Sequence, residues 1–269
     1  MAAMKCLMVL LLFNFGLFCY SFNEHRIWNG TPASLETYAN VPRIISYGMI
    51  PFNNTQGYPE GHGSVCTGSI ISARHILTAA HCIGQQQNKN NDTGKFQVRQ
   101  IEYFIIDYEK LDTYFGVKGR EMFLKEHGLV TTAHHHLGWH NSTNKYKDDI
   151  AILEFPKGTN LNIAPVLLAK NFVESDDDFG VSVGYGDIDS DPKKNKIAPF
   201  LMELKVPIKK ECAWNDEKVI CAGTKDARVD HGNSGGPLFI TKNNKMYQIA
   251  LAHGGSYENG TEANFDLSG

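Results

Sequence analysis

Charge of one sign, long apolar runs and long amphipathic helices are what this chain lacks. Its 26 Lys and Arg against 29 Asp and Glu leave a net charge of −3, with both signs scattered along 269 residues. That offers no basic stripe for nucleic acid and little attraction to an acidic membrane surface, so partners must be read from a site rather than from charge. The apolar run Cys6 to Phe13, behind Lys5, is interrupted at Asn14 and is short for a span of about 20 residues, so no stable membrane anchor is expected. No internal repeat occurs.

The same run, followed by the small residues Cys19 and Ser21, reads as a secretory signal peptide over residues 1–21. Secretion gives the cysteines meaning. Cys6 and Cys19 leave with the signal, and Cys66, Cys82, Cys212 and Cys221 remain as an even set from which two disulfides are expected. Four cysteines allow three pairings, and local loop closure favours Cys66 with Cys82 and Cys212 with Cys221. Asn29, Asn53, Asn91, Asn141 and Asn259 each begin an Asn-X-Ser/Thr sequon, as befits a secreted glycoprotein.

After residue 40 the chain consists of short apolar or alternating runs, such as Arg43-Ile44-Ile45-Ser46-Tyr47 and Val181-Ser182-Val183, broken by Gly, Asn, Asp and Pro. Many short strands with turn signals predict antiparallel β-sheet closed into barrels or a sandwich.

Three distant segments carry chemistry: Leu77-Thr78-Ala79-Ala80-His81-Cys82, Asp149-Ile150-Ala151-Ile152-Leu153 and Gly232-Asn233-Ser234-Gly235-Gly236-Pro237. A serine hydroxyl is a poor nucleophile at neutral pH and needs a base within hydrogen-bond reach, which in turn needs an orienting partner. His81, Asp149 and Ser234, in that order, supply base, orienter and nucleophile. Asp148 reads as a solvated neighbour of Asp149. The glycines around Ser234 let the amides of Gly232 and Ser234 point at a developing oxyanion, where loss of one donor costs roughly 3 to 4 kcal/mol.

These segments resemble the chymotrypsin-like (trypsin-like) serine endopeptidase family, together with Arg26-Ile27-Trp28-Asn29-Gly30, Cys66-Thr67-Gly68-Ser69, Gly184-Tyr185-Gly186 and Ile220-Cys221-Ala222-Gly223. The resemblance implies an all-β fold of two antiparallel β-barrels, roughly residues 27–145 and 146–269, with the site in the cleft between them. It also implies a short propeptide over residues 22–26 and cleavage after Arg26 to free Ile27. The implied function is hydrolysis of peptide bonds in protein or peptide substrates through an acyl-enzyme, with an activating protease and protein inhibitors as further partners and no cofactor. The competing reading is a non-catalytic homologue that binds a protein partner through the same cleft.

Departures from the family pattern matter. Asn233 stands where the family usually has the Asp that receives the new N-terminal ammonium. Breaking such a buried pair costs about 3 to 5 kcal/mol, of which a charged hydrogen bond to an amide recovers about 1.5 to 3. Arg228 falls at the base of the primary specificity pocket, with Asp226 and Asp230 close enough for a loop shift to substitute either. Ala252-His253-Gly254 replaces Ser-Trp-Gly on the substrate-pairing strand, which makes the aromatic pocket wall an imidazole. After Gly254 the chain has no evident counterpart to the family's remaining strands and terminal helix, so the C-terminal part is expected to be truncated.

His134-His135-His136 with His140 invites a zinc reading, but no carboxylate or Cys completes a recognised spacing, and the segment reads as a surface loop without metal.

Overall fold

The computed structural model describes residues 30–48, 62–88, 96–100, 103–107, 132–141, 148–173, 175, 178–186, 198–210, 219–224, 227–229, 231–256 and 262–266. In chain order the first elements are β1 (Thr31–Pro32), β2 (Arg43–Gly48), β3 (His62–Thr67), β4 (Ser69–Ser72), β5 (His75–Thr78) and the one-turn α1 (Ala80–Ile83). β6 (Gly84–Asn88), β7 (Phe96–Gln100), β8 (Tyr103–Asp107), β9 (Thr132–His135), α2 (Leu137–Asn141) and β10 (Ala151–Glu154) follow. The later part holds β11 (Leu167–Leu168), β12 (Phe179–Gly184), β13 (Met202–Lys209), β14 (Val219–Ala222), β15 (Pro237–Lys242), β16 (Lys245–Ser256) and β17 (Glu262–Asp266). The fold is all-β, as the short alternating runs predict.

Two sheets enclose the first core. β3-β2-β8 and β4-β5-β10-β9 surround Ile44, Ile70, Ile76, Trp139, Ala151 and Leu153. β10 shows the period-two logic directly, since Ala151 and Leu153 are buried while Ile152 and Glu154 are only partly so. In the second core β13 alternates in the same way, sending Met202, Leu204, Val206 and Ile208 inward against Ile220 and Leu238.

β13, β12, β15, β16, β17 and β14 each pair with the next, and β14 pairs back onto β13. That return gives β14 a second partner besides β17. One sequence expectation changes here. The tail after Gly254, read as lacking the family's strands, contributes β17, which fills the gap between β16 and β14. β10 pairs with β5 and β9 and so belongs to the first core.

Arg43 joins the two parts. Fully buried on β2, it donates through Nη2 to the carbonyls of Ala198 (3.2 Å) and Pro199 (3.0 Å), and its guanidinium lies 4.4 Å from the centre of the Tyr185 ring. Hydrogen bonds from a charged group are worth about 1.5 to 3 kcal/mol each. Arg43→Ala is therefore expected to cost about 3 kcal/mol or more and to lower Tm by roughly 6 to 12 °C in a thermal melt. A drop of less than about 3 °C would show that the two parts do not depend on this residue.

Candidate active site

Strand pairing brings two of the three chemical segments to one place. In the antiparallel β5–β10 ladder Thr78 faces Ala151. His81 lies just beyond the end of β5 and Asp149 just before the start of β10, so both sit at the same end of the sheet. Asp148 directs the approach: with φ of 55° it takes the left-handed turn that Asp tolerates, and Asp149 follows inward. Asp148 itself is 6% exposed, so it is not the solvated neighbour that the sequence suggests; its carboxylate packs against Gly138, where a side chain would have no room.

Asp149 is 1% exposed and grips His81 twice. Its Oδ1 accepts from the His81 backbone N–H at 2.7 Å, and its Oδ2 lies 2.5 Å from His81 Nδ1. Burial acts to raise the pKa of this carboxyl. The charge of His81, the N–H bonds from His253 and His81 and the charge of His253 outweigh it and hold the group well below the usual carboxylate range. The His81 side chain remains 39% exposed.

Ser234 is attached to the same unit by its backbone. Its carbonyl accepts from Thr67 N at 2.9 Å and lies 3.5 Å from Cys82 Sγ, the residue next to His81. The Cys66–Cys82 disulfide expected from loop closure is present. Thr67, adjacent to it, also donates through Oγ1 to the Gly232 carbonyl (2.9 Å) and accepts at that oxygen from Tyr185 N (3.0 Å). Gly232 and Gly235 have φ of 90° and 78°, conformations that favour glycine. The turn they form leaves the amides of Gly232 and Ser234 without a backbone acceptor among the described residues.

Asn233 faces away from this opening. Buried to 1% exposure, it accepts at Oδ1 from Gly186 N (3.0 Å), and its carboxamide fills the space that a Cβ on Gly184 or Gly186 would take.

Comparison with known proteins gives this geometry its setting. The family model described as Trypsin matches residues 46–266. The chain belongs to the trypsin family. The relatives it matches include a venom protease of Bombus pensylvanicus, 28% identical over 82% of this chain and 85% of the relative. Serine protease SSP1 of Scolopendra subspinipes is 27% identical over 82% of this chain and 70% of its own length, and serine protease 28 of Mus musculus 27% over 71% and 69%. The chain is accordingly a serine endopeptidase.

In this trypsin-family chain β16 departs from expectation. His253, read as a pocket wall, turns inward instead: its side chain is 4% exposed and its Nδ1 lies 2.8 Å from Asp149 Oδ2. The cause is a bulge. β16 and β17 pair Ala252 with Phe265 and Gly254 with Asn264, so His253 is the extra residue between them and leaves the regular ladder. Ala252, named as a pocket residue, is 2% exposed in the second core, its carbonyl accepting from Gly235 N at 2.6 Å. Gly254 continues β16, and Arg228 is partly buried beside Gly223.

The histidine run of the protease does not converge on one point. His134 Nε2 binds Glu154 Oε2 (2.7 Å), His135 stacks on Trp139 with ring centres 5.2 Å apart, and His136 Nδ1 lies 3.8 Å from Asp148 Oδ1. Cys66, His81 and Cys82 bring ligand-type atoms close together, but the disulfide takes both sulfurs and leaves no thiolate for a metal. Cys221 is disulfide-bonded, while Cys212 lies outside the described residues. So do Arg26, Ile27, Asn29, Asn53, Asn91 and Asn259, and of Asn141 only the backbone is described.

Proposed function

We propose that this serine endopeptidase cleaves protein substrates outside the cell through an acyl-enzyme formed on Ser234. The observation that carries the proposal is the double grip of Asp149 on the backbone N–H and Nδ1 of His81, at a point where the Ser234 carbonyl lies 3.5 Å from Sγ of the residue beside His81. With a proton held on Nδ1, Nε2 is the ring nitrogen of His81 that takes the Ser234 hydroxyl proton. The Oγ–C bond then forms, and the substrate carbonyl oxygen takes up negative charge opposite the amides of Gly232 and Ser234. His81 returns its proton to the leaving amine as the C–N bond breaks. Water, deprotonated by the same Nε2, attacks the acyl carbon, and as the Oγ–C bond breaks His81 returns that proton to Ser234 Oγ. The signal-like N-terminus and the Cys66–Cys82 bridge support an extracellular setting.

The loop carrying Ser234 is secured by bonds among the described residues, including Gly186 N to Asn233 Oδ1. This supports an activation step weaker than the Asp of the family pattern would give. Cleavage after Arg26 is expected to raise reactivity by less than about a hundredfold, since each tenfold requires about 1.4 kcal/mol of conformer preference.

A fluorophosphonate probe tests both statements on secreted protein before and after cleavage at Arg26. The expected result is an adduct confined to Ser234, absent in Ser234→Ala, and detectable without cleavage. No adduct in folded wild-type protein overturns the proposal in favour of a binding homologue. A gain above about a thousandfold on cleavage overturns the weak-activation reading.

A further inference from the structure

Asp149 has one more partner than the roles proposed above require. Its Oδ2 lies 2.5 Å from His81 Nδ1 and 2.8 Å from His253 Nδ1, the two rings standing nearly edge to face with centres 6.5 Å apart. A carboxylate oxygen has two lone pairs and can accept from both, provided each imidazole carries its proton on Nδ1. For His81 that tautomer is the one in which Nε2 serves as a base. For His253 it makes the ring a donor buried behind the carboxylate, on the opposite side from solvent.

No neighbouring side chain on the strand could take over. Ala252 has no donor and is enclosed in the core, and the bulge that frees His253 from the β16–β17 ladder is what aims the ring at Asp149. Among the described residues, the titratable groups bearing on Asp149 are His81 from α1 and His253 from β16.

We infer that His253 is a positioning residue for the hydrolytic reaction: it fixes the plane of the Asp149 carboxylate and draws off part of its charge, setting how firmly His81 holds a proton. The inference rests on the roles proposed for His81 and Asp149. A carboxylate that loses a charged-group hydrogen bond rotates more freely and concentrates its charge on the remaining donor. His81 then keeps its imidazolium form to higher pH, and a smaller fraction of the enzyme has its base ready.

Two substitutions separate hydrogen bonding from packing. His253→Phe keeps a ring of similar shape without a donor, and His253→Asn restores an amide N–H close to the position of Nδ1. The Phe variant is expected to lose roughly 10- to 100-fold in kcat with KM changed less than about threefold. Its acid limb in kcat/KM should move up by about half a pH unit or more. The Asn variant should recover most of kcat and the original limb. A Phe variant with wild-type kcat and pH profile overturns the inference, as does equal impairment of both variants with an unmoved limb, which marks a packing role alone.

Nitrogen-15 spectra of histidine-labelled wild-type protein keep the inference testable even if neither variant folds. Nδ1-protonated signals for both His81 and His253 are expected near neutral pH, and an Nε2-protonated His253 overturns it. Fluorophosphonate labelling of the same sample reports on Ser234 separately, so failure of the triad reading and failure of the His253 inference give different results.

Discussion

Asp149→Asn is expected to lower kcat about ten-thousandfold while leaving the protein folded and KM close to that of the wild type. Three N–H groups converge on the Asp149 carboxylate: the His81 backbone, His81 Nδ1 and His253 Nδ1. Asparagine offers one oxygen and one NH2 in their place, so one site must present a donor to a donor. The backbone N–H cannot change its character. The amide oxygen therefore stays with it, and the NH2 faces the imidazoles. His81 accommodates by moving its proton to Nε2, which is the tautomer that cannot accept a proton from Ser234. Steady-state kinetics on a peptide substrate check this, and a kcat within tenfold of wild type would mean that His81 does not depend on Asp149 for its tautomer.

Gly235→Ala is the second large effect. At φ of 78° an alanine is strained by about 1 to 3 kcal/mol, and its Cβ would stand 2.5 Å from the Thr67 carbonyl oxygen and 2.7 Å from Ala79 N. Both neighbours are backbone, so the loop carrying Ser234 has to move. Together, strain and overpacking are expected to lower Tm by about 10 °C or more and to cut fluorophosphonate labelling at least about a hundredfold. Gly158 is the matched control, because it has φ of 95° with nothing within 4 Å of an added Cβ. Gly158→Ala should show the backbone strain alone, with Tm down by only a few degrees and labelling unchanged. Equal effects at the two glycines would refute the packing argument.

The parts of this molecule that were legible in its sequence are those written in local pattern. The short runs that become β2 and β12, the glycines flanking Ser234 and the Cys66–Cys82 loop each follow from neighbours a few residues apart. What escaped was set by register. His253 reads as a wall of the pocket until the bulge opposite Phe265 and Asn264 rotates it to Asp149, since one inserted residue changes the side to which a side chain points. Asp148 sits beside Asp149 in a polar stretch and reads as solvated, yet its left-handed turn buries it against Gly138. Glu262–Asp266 is too short and too polar to announce itself, and becomes a strand because β14 and β16 both offer it an edge.

Thr67 meets four other residues with one short side chain and its own peptide groups. Its amide holds Ser234, its hydroxyl joins Gly232 to Tyr185, and its carbonyl receives the hydroxyl of Thr78 at 2.9 Å. Residues sharing a partner in this way do not respond independently to substitution, and their effects fail to add. Inherited variation at any of these positions is therefore conditional on the others. A replacement tolerated while the other partners stand as they do here is expected to become disabling once one of them has also changed.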